Sequence, residues 1–183
     1  MYELPFGHHK QFGAGWNNLV NETIGGWKIA GSGTLYTGFP ITISGPNNAN
    51  SNAYAARANK YGPLKVVNRS VRDWFGTDPS ATPCSGAYNN LCAYGPELPN
   101  TFGTAGVGTE RGPAYRSMDL SLFKTFVTTE RGQSLDFRSD FFNAFNIASY
   151  ADPSNSITST NFGQITSTRS PQRQIQLSAR YHF

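Results

Sequence analysis

The chain has 183 residues, of which 14% are charged and 14% aromatic, with 19 glycines and 11 prolines. Its 15 basic and 11 acidic residues are scattered, whereas nucleic-acid-binding domains concentrate basic residues in a stripe or patch, so we expect no nucleic-acid partner. No stretch approaches the ~18 consecutive apolar residues of a membrane-spanning helix, which excludes a helical membrane protein. It does not exclude a transmembrane β-barrel, whose strands alternate lipid-facing and lumen-facing residues.

The first predicted strands lie near the N-terminus. A truncated strand is predicted at Tyr2–Phe6, and a connecting segment follows from His8 to Gly25. Trp27–Tyr36 then alternates with a period of two, so that Trp27 and Leu35 fall on one face of the predicted strand.

A long region without sustained periodicity runs from Ser44 to Arg116 and is rich in Asn, Gly, Pro and Ser. Loops of this length inside a domain are usually functional or disordered. Its aromatic residues are candidates for stacking on a sugar or an aromatic chelator, and its arginines for contacting anionic groups. A mostly solvated loop, whose aromatic residues pack on one another or on neighbouring loops, is at least as good an interpretation. The candidate ligand contacts are Tyr54, Tyr61, Trp74, Phe75, Tyr88, Tyr94, Arg57, Arg69 and Arg72.

The only two cysteines, Cys84 and Cys92, lie within this region. Their spacing differs from the C-x₂-C of zinc ribbons and redox sites, no histidine lies near them, and a zinc site needs four ligands. A local disulfide bond in an oxidising compartment is the preferred interpretation, and two free thiols are the alternative.

Two further strands are predicted at Met118–Phe126 and Leu135–Asn146. In the second segment, phenylalanines also recur at i, i+4 and i+8 from Phe137, which fits one face of a helix. The intervening Thr129–Gln133 is a short loop with a glycine, suited to a hairpin, and therefore favours the strand.

The last twelve residues, Gln172–Phe183, alternate strictly. At ~3.3 Å per residue and a tilt of ~45°, such a strand rises ~26 Å, about the height of the apolar band of an outer-membrane barrel. One face is apolar and carries Ile175, Leu177, Ala179, Tyr181 and Phe183.

Connection lengths predict a membrane topology, because outer-membrane barrels have short periplasmic turns and long extracellular loops. Thr129–Gln133 is then periplasmic, whereas 44–116 and 147–170 are the two extracellular loops. Aromatic residues near both predicted boundaries fit the interfacial girdles of such barrels. The predicted interface anchors are Trp27, Phe126 and Phe145.

The sequence offers no catalytic, metal or cofactor site. The three histidines, His8, His9 and His182, form no triad or ligand spacing. Asp136 and Asp140 share a strand face with an arginine between them, which predicts a polar barrel wall rather than an acid–base pair. We therefore expect a protein that is not an enzyme.

These features carry a family resemblance. The terminal strand ending in Tyr181-His182-Phe183 resembles the C-terminal assembly signal of bacterial outer-membrane proteins, whose final aromatic residue is read by the barrel-assembly machinery. With the motifs that follow, nearly the whole chain resembles the C-terminal end of TonB-dependent receptors, closest to an acidobacterial type with an N-terminal carboxypeptidase-regulatory-like domain. The motifs are Gly25–Gly31, Gly38–Thr42, Arg111–Pro113, Asp119–Lys124, Phe141–Asn146 and Phe162–Ile165.

The resemblance implies a 22-stranded barrel around an N-terminal plug, with a TonB-binding box ahead of the plug. The chain supplies about five strands and neither plug nor box, and five strands cannot close a barrel of eight or more. We therefore expect residues 1–183 to be the C-terminal part of an all-β, antiparallel, up-and-down barrel in the bacterial outer membrane. The implied partners are membrane lipid, the rest of the barrel and plug, the assembly machinery and, through the missing N-terminal part, TonB.

The resemblance further implies energy-coupled uptake of a large solute, such as a siderophore or an oligosaccharide, with no cofactor. Two alternatives remain open. A soluble, extracellular, carbohydrate-binding β-sandwich would bury the apolar face of the last strand in protein, and a passive porin-like channel would lack the plug and TonB box.

Overall fold

The computed structural model describes residues 1–50, 56–127 and 132–183. These residues form one α-helix, α1 (Asn18–Ile24), one 3₁₀ helix (Pro79–Ala81) and nine strands. In chain order the strands are β1 (Tyr2–Glu3), β2 (Lys28–Tyr36), β3 (Pro40–Ile41), β4 (Asn59–Lys60), β5 (Tyr94–Gly95), β6 (Glu110–Arg111), β7 (Tyr115–Val127), β8 (Ser134–Phe142) and β9 (Gln174–His182).

The chain divides into two compact units. The sheet unit comprises Met1–Leu35, Arg116–Ala148 and Ser170–Phe183, and the loop unit comprises Tyr36–Tyr115 and Ser149–Arg169. The two regions predicted to be extracellular loops thus supply most of one unit, whereas the long strands supply the other. Each unit is described by itself below.

The sheet unit is built on five strands in the order β1-β2-β7-β8-β9. The sheet is antiparallel, and β8 pairs with β7 on one side and β9 on the other, with Asp136 opposite both Thr125 and Arg180. The predicted all-β, antiparallel architecture is therefore confirmed. Within the described residues, no helix has the length and apolar character needed to cross a membrane.

The helical alternative for Leu135–Asn146 is wrong, because residues 134–142 form β8. The strand ends earlier than predicted because Asn143 and Asn146 adopt left-handed backbone angles, with φ of 48° and 52°. The Asn143 Nδ2 atom donates to the Ile147 carbonyl at 3.1 Å and to the Pro171 carbonyl at 2.9 Å. Asparagine tolerates this conformation better than other non-glycine residues, so the strand turns at this position.

The predicted connection His8–Gly25 contains the helix α1, which sequence periodicity did not reveal. Asn17 caps its N-terminus, since the Asn17 Oδ1 atom accepts a hydrogen bond from the Val20 backbone N–H at 2.9 Å. The helix ends at Gly25 after two turns. A helix this short shows no recurrent apolar face in the sequence and depends on its tertiary contacts.

The loop unit has a hydrophobic core of its own. The two predicted loops meet in it, as the Ser44 backbone N–H donates to the Asn155 carbonyl and the Ile157 N–H donates to the Ser44 carbonyl, both at 3.0 Å. The described residues of 44–116 thus fold around a core, and Phe75 packs on Phe162 of the neighbouring predicted loop, as in the alternative interpretation. The buried core residues are Ile41, Ile43, Ala58, Phe75, Ala93, Tyr94 and Ala105.

A disulfide bond joins Cys84 and Cys92 inside the loop unit. Both cysteines are buried, and the Cys84 backbone N–H donates to the Tyr94 carbonyl at 2.9 Å. The bond therefore closes a short segment against the core strand β5. The described residues include no free cysteine.

Gly103 allows a close backbone approach in the loop unit. A β-carbon at this position would overlap the Arg57 carbonyl oxygen, whereas one at Gly62 would meet nothing within 4 Å. We expect Gly103→Ala to destabilise the loop unit by about 1–3 kcal/mol, the usual cost of overpacking. Gly62→Ala is the matched control and should change stability by less than about 0.5 kcal/mol. Pulse proteolysis in increasing urea measures both, and equal midpoints would contradict the packing described.

The disulfide bond should stabilise the loop unit as well. Replacing both Cys84 and Cys92 by alanine should lower the free energy of unfolding by about 2.5 kcal/mol. This is the loop-closure entropy that a cross-link between residues eight positions apart removes from the unfolded chain. The same proteolysis assay, with and without dithiothreitol, provides the measurement. Reductant should sensitise the parent protein and leave the double variant unchanged, and an insensitive parent would show that the bond contributes no stability.

Candidate functional site

One face of the sheet unit is polar. Directly opposed residues of an antiparallel pair lie on the same face of the sheet. Ser121, Asp140 and Gln176 therefore share the polar face, and so do Thr125, Asp136 and Arg180. The predicted placement of Asp136 and Asp140 on a common face agrees with this register.

Asp136 and Asp140 each have two hydrogen-bond partners. Asp140 accepts from the Ser121 hydroxyl at 2.5 Å and from the Arg138 Nε atom at 2.9 Å. Asp136 accepts from the Thr125 hydroxyl at 2.7 Å, and its other oxygen lies 2.9 Å from the His182 Nε2 atom. The two carboxylates are thus engaged as hydrogen-bond acceptors within a polar wall of the sheet.

The opposite face of the sheet carries the apolar residues of the terminal strand. Ile175, Leu177 and Tyr181 lie opposite Phe141, Ser139 and Leu135, respectively, and are 56%, 65% and 50% exposed. Ala179, opposite Phe137, completes the row, and Phe183 is fully exposed with its ring stacked at 6.4 Å from that of Tyr181. The residues of the predicted assembly signal thus form one exposed apolar surface on the edge strand β9.

Two of the three predicted interface anchors lie together. The Trp27 ring packs edge-on against Phe137 at 6.1 Å, and the Lys124 amine lies 5.8 Å from the Trp27 ring centre and 5.0 Å from that of Phe126. The third anchor, Phe145, follows the other end of β8 and is 62% exposed. This separation suits two aromatic girdles.

Lys124 was missed by the sequence reasoning, although the alternation of β7 places it on the apolar face with Leu120 and Leu122. Its side chain is buried, and its Nζ atom donates a hydrogen bond to the Gly25 carbonyl at the end of α1. The Trp27 Nε1 atom donates to the Thr23 carbonyl at 3.0 Å. The carbonyls at the helix C-terminus therefore compensate an ammonium group that the apolar face alone could not accommodate.

The candidate ligand contacts of the loop unit form two separate pairs. The Tyr61 and Tyr88 rings stack at 4.8 Å, and the Arg69 guanidinium lies 4.6 Å from the Trp74 ring centre. The Trp74 Nε1 atom also donates to the Arg111 carbonyl at 2.7 Å. Three further candidates remain. Arg72 is exposed, the Arg57 Nη1 atom donates to the Ala105 carbonyl at 2.9 Å, and Tyr54 lies outside the described residues.

Phe75 and Tyr94, also predicted as ligand contacts, are core residues instead, with exposures of 3% and 1%. Their apolar surface is used in packing, so a solute cannot stack on their faces without opening the core. The Tyr94 hydroxyl donates to the Glu110 Oε1 atom at 2.5 Å. Burial, reinforced by this carboxylate, raises the pKa of Tyr94, which stays a neutral hydrogen-bond donor.

The loop unit also contains a cavity of about 510 Å³ between residues 73–85 and 157–163. Phe75 and Phe162 contribute their rings to its lining, and Cys84 lies at its side. Sequence reasoning missed this site because its two walls come from two different predicted loops. Within the described ranges, no cluster of three or more histidine, cysteine or acidic side chains is placed to bind a metal ion.

Comparison with known proteins gives one match. The family model described as "Outer membrane beta barrel domain" matches residues 1–176. No curated protein and no solved structure matches the chain. The match covers both the sheet unit and the loop unit almost completely, and it agrees with the amphipathic antiparallel sheet. The chain therefore belongs to the outer membrane β-barrel domain family, and the protein is located in the bacterial outer membrane.

Proposed function

We propose that this chain forms the C-terminal part of the barrel of a TonB-dependent receptor, which imports a large solute with energy supplied from the inner membrane. The size and folding of the loop unit carry the proposal. The connections from β2 to β7 and from β8 to β9 are long and fold around a common core, whereas that from Val127 to Ser134 is short. In an up-and-down barrel the two long connections lie on the extracellular side.

The two faces of the sheet support a transport role. Asp136, Arg138 and Asp140 on the polar face would line an aqueous interior, where Arg138 pairs with Asp140 and His182 with Asp136. The apolar face with Leu177 and Tyr181 would contact lipid. This division suits a wall of a barrel that encloses a passage.

The proposed partners follow from the same assignment. The exposed residues Tyr181 and Phe183 would be read by the barrel-assembly machinery, and the unpaired edges of the sheet, β1 and β9, would pair with the rest of the barrel. TonB would bind through the N-terminal part of the receptor, ahead of the plug. No catalytic step is proposed, and the absence of enzymatic activity stays a prediction from the sequence.

Membership of an outer-membrane barrel family excludes the soluble carbohydrate-binding sandwich as the fold of this chain. The passive porin-like channel shares the barrel and differs from the receptor in lacking a plug and a TonB box. A test of the proposed function must therefore separate these two barrels.

Purified full-length receptor should form a stable complex with the periplasmic domain of TonB, because the box ahead of the plug binds it. Deletion of that box should abolish the complex in a pull-down assay while leaving the folded barrel intact. Reconstituted in liposomes, the same receptor should not pass stachyose in a swelling assay, since the plug closes the barrel. Swelling without TonB binding would assign the chain to a passive channel.

Removal of Phe183 should sharply reduce insertion of the full-length receptor into the outer membrane. The ring is fully exposed and makes its only described ring contact with Tyr181, so its loss should cost the folded barrel little stability. Heat-modifiable mobility in outer-membrane fractions measures the folded population. Phe183→Tyr is the matched control and should insert normally, because it keeps a terminal aromatic ring. Normal insertion without any terminal aromatic would argue against the assembly signal.

A further inference from the structure

We propose that the cavity of the loop unit binds a neutral, polyhydroxylated ligand, a short oligosaccharide segment, which the receptor selects from outside the cell. This inference rests on the proposed receptor function and specifies its substrate class. It is carried by the chemistry of the residues that line the cavity, of which only Phe75 is among the candidate ligand contacts named from the sequence.

The cavity has the size of a small-molecule site. Its volume of about 510 Å³ falls within the ~300–1,000 Å³ typical of ligand pockets and suits a short stretch of sugar rings rather than one small ion. Its walls, residues 73–85 and 157–163, both belong to the loop unit. The site is therefore complete within that unit.

Hydroxyl groups dominate the polar lining. Thr82, Ser85 and Thr160 are exposed, and their hydroxyls make no hydrogen bond to any residue that the structure describes. A serine or threonine hydroxyl both donates and accepts a hydrogen bond. A ligand that carries many hydroxyls of its own can satisfy such groups in either direction, which makes a sugar chain a suitable partner.

An aromatic platform lies beside these hydroxyls. The half-buried Phe162 ring packs against the buried Phe75 ring, with the ring centres 5.1 Å apart. Contact with the buried ring holds Phe162 in one orientation, so its accessible surface is rigid. The C–H face of a pyranose is apolar and can pack on such a ring while its hydroxyls reach the threonines.

The charge of the lining favours a neutral ligand over an anionic one. None of the described lining residues is a lysine, arginine or histidine, and the one charged lining residue is Asp73, which is exposed. An anionic iron chelate would meet a carboxylate and no compensating cation. A neutral ligand has no such penalty and can donate a hydroxyl to the Asp73 carboxylate.

The walls of the cavity are well supported. The Trp74 backbone N–H donates to the Gly163 carbonyl at 2.9 Å and so joins the two walls. Asp78 caps the 3₁₀ helix, and the hydrogen bonds from Ser80 hold the pKa of the Asp78 carboxyl below its ordinary value. The disulfide at Cys84 closes one side. A preformed site of this kind loses little conformational entropy when a ligand binds.

The test is binding of defined probes to the full-length receptor in detergent micelles, measured by isothermal titration. The probes are neutral hexasaccharides of glucose, xylose and N-acetylglucosamine, with hexagalacturonate and ferric citrate as anionic comparators. We expect at least one neutral hexasaccharide to bind and both anionic probes to fail. Binding of an anionic probe alone, or of no probe, would overturn the inference.

Variants assign the binding to this cavity. Thr82→Val and Thr160→Val should each weaken binding of the active hexasaccharide by about 2- to 10-fold, the range for loss of one neutral hydrogen bond. Thr158→Val, two residues from Thr160 and outside the lining, is the matched control and should bind like the parent. Phe162→Ala should weaken binding further. Unchanged affinity in both threonine variants would place the sugar elsewhere and refute the site.

The outcome is separable from that of the proposed function. If the receptor binds TonB and excludes stachyose but recognises only ferric citrate, the receptor assignment stands and the carbohydrate site is refuted. If it binds a neutral hexasaccharide through Thr82 and Thr160 but never binds TonB, the site stands and the receptor assignment is refuted.

Discussion

The sheet depends on the register that holds β8 between β7 and β9. In this register Asp136 lies opposite Thr125 and Asp140 lies opposite Ser121, so both carboxylates find hydroxyl donors on the same face. A shift of one residue would move both carboxylates to the apolar face, where a charge without a partner is costly, and would expose the phenylalanines to water. The polar pairs and the apolar row thus favour the same register, and the separation of the two faces follows from it.

This register places a charged residue, Lys124, on the apolar face. The hydrogen bond of Lys124 to the end of α1 accounts for the position of the helix. The alternation of β7 leaves a lysine on the apolar face, where its amine requires a hydrogen-bond acceptor. The Gly25 carbonyl supplies that acceptor, and the rings of Trp27 and Phe126 surround the charge. A helix C-terminus is suited to this role because its last carbonyls have no partner within the helix. The helix and the lysine therefore stabilise one another.

The sequence predicts the features of the fold that depend on neighbouring residues. It does not predict those that depend on contacts between residues far apart in the chain. Strands β2, β7, β8 and β9 repeat every two residues, so their existence and their faces could be derived from alternation alone. The end of β8 could not, because it depends on the contacts that Asn143 makes with Pro171, twenty-eight positions away. The core of the loop unit was missed for the same reason, since core residues such as Ala58 and Tyr94 lie in segments without periodicity. Aromatic content alone does not separate ring faces that bind a solute from those that pack inside.

The loop unit has a core of its own, distinct from the strand pairs that fix the register of the sheet. Ile43 and Tyr94 stabilise the loop unit without taking part in the register of the sheet. Within the loop unit, the cavity lining combines exposed residues with a residue of the core. Thr82 and Thr160 are exposed and can vary at little cost in folding free energy, whereas Phe75 is part of both the cavity lining and the core. At the proposed carbohydrate site, substitution of Thr82 or Thr160 would therefore change the lining at a smaller cost in stability than substitution of Phe75, because Phe75 also belongs to the core.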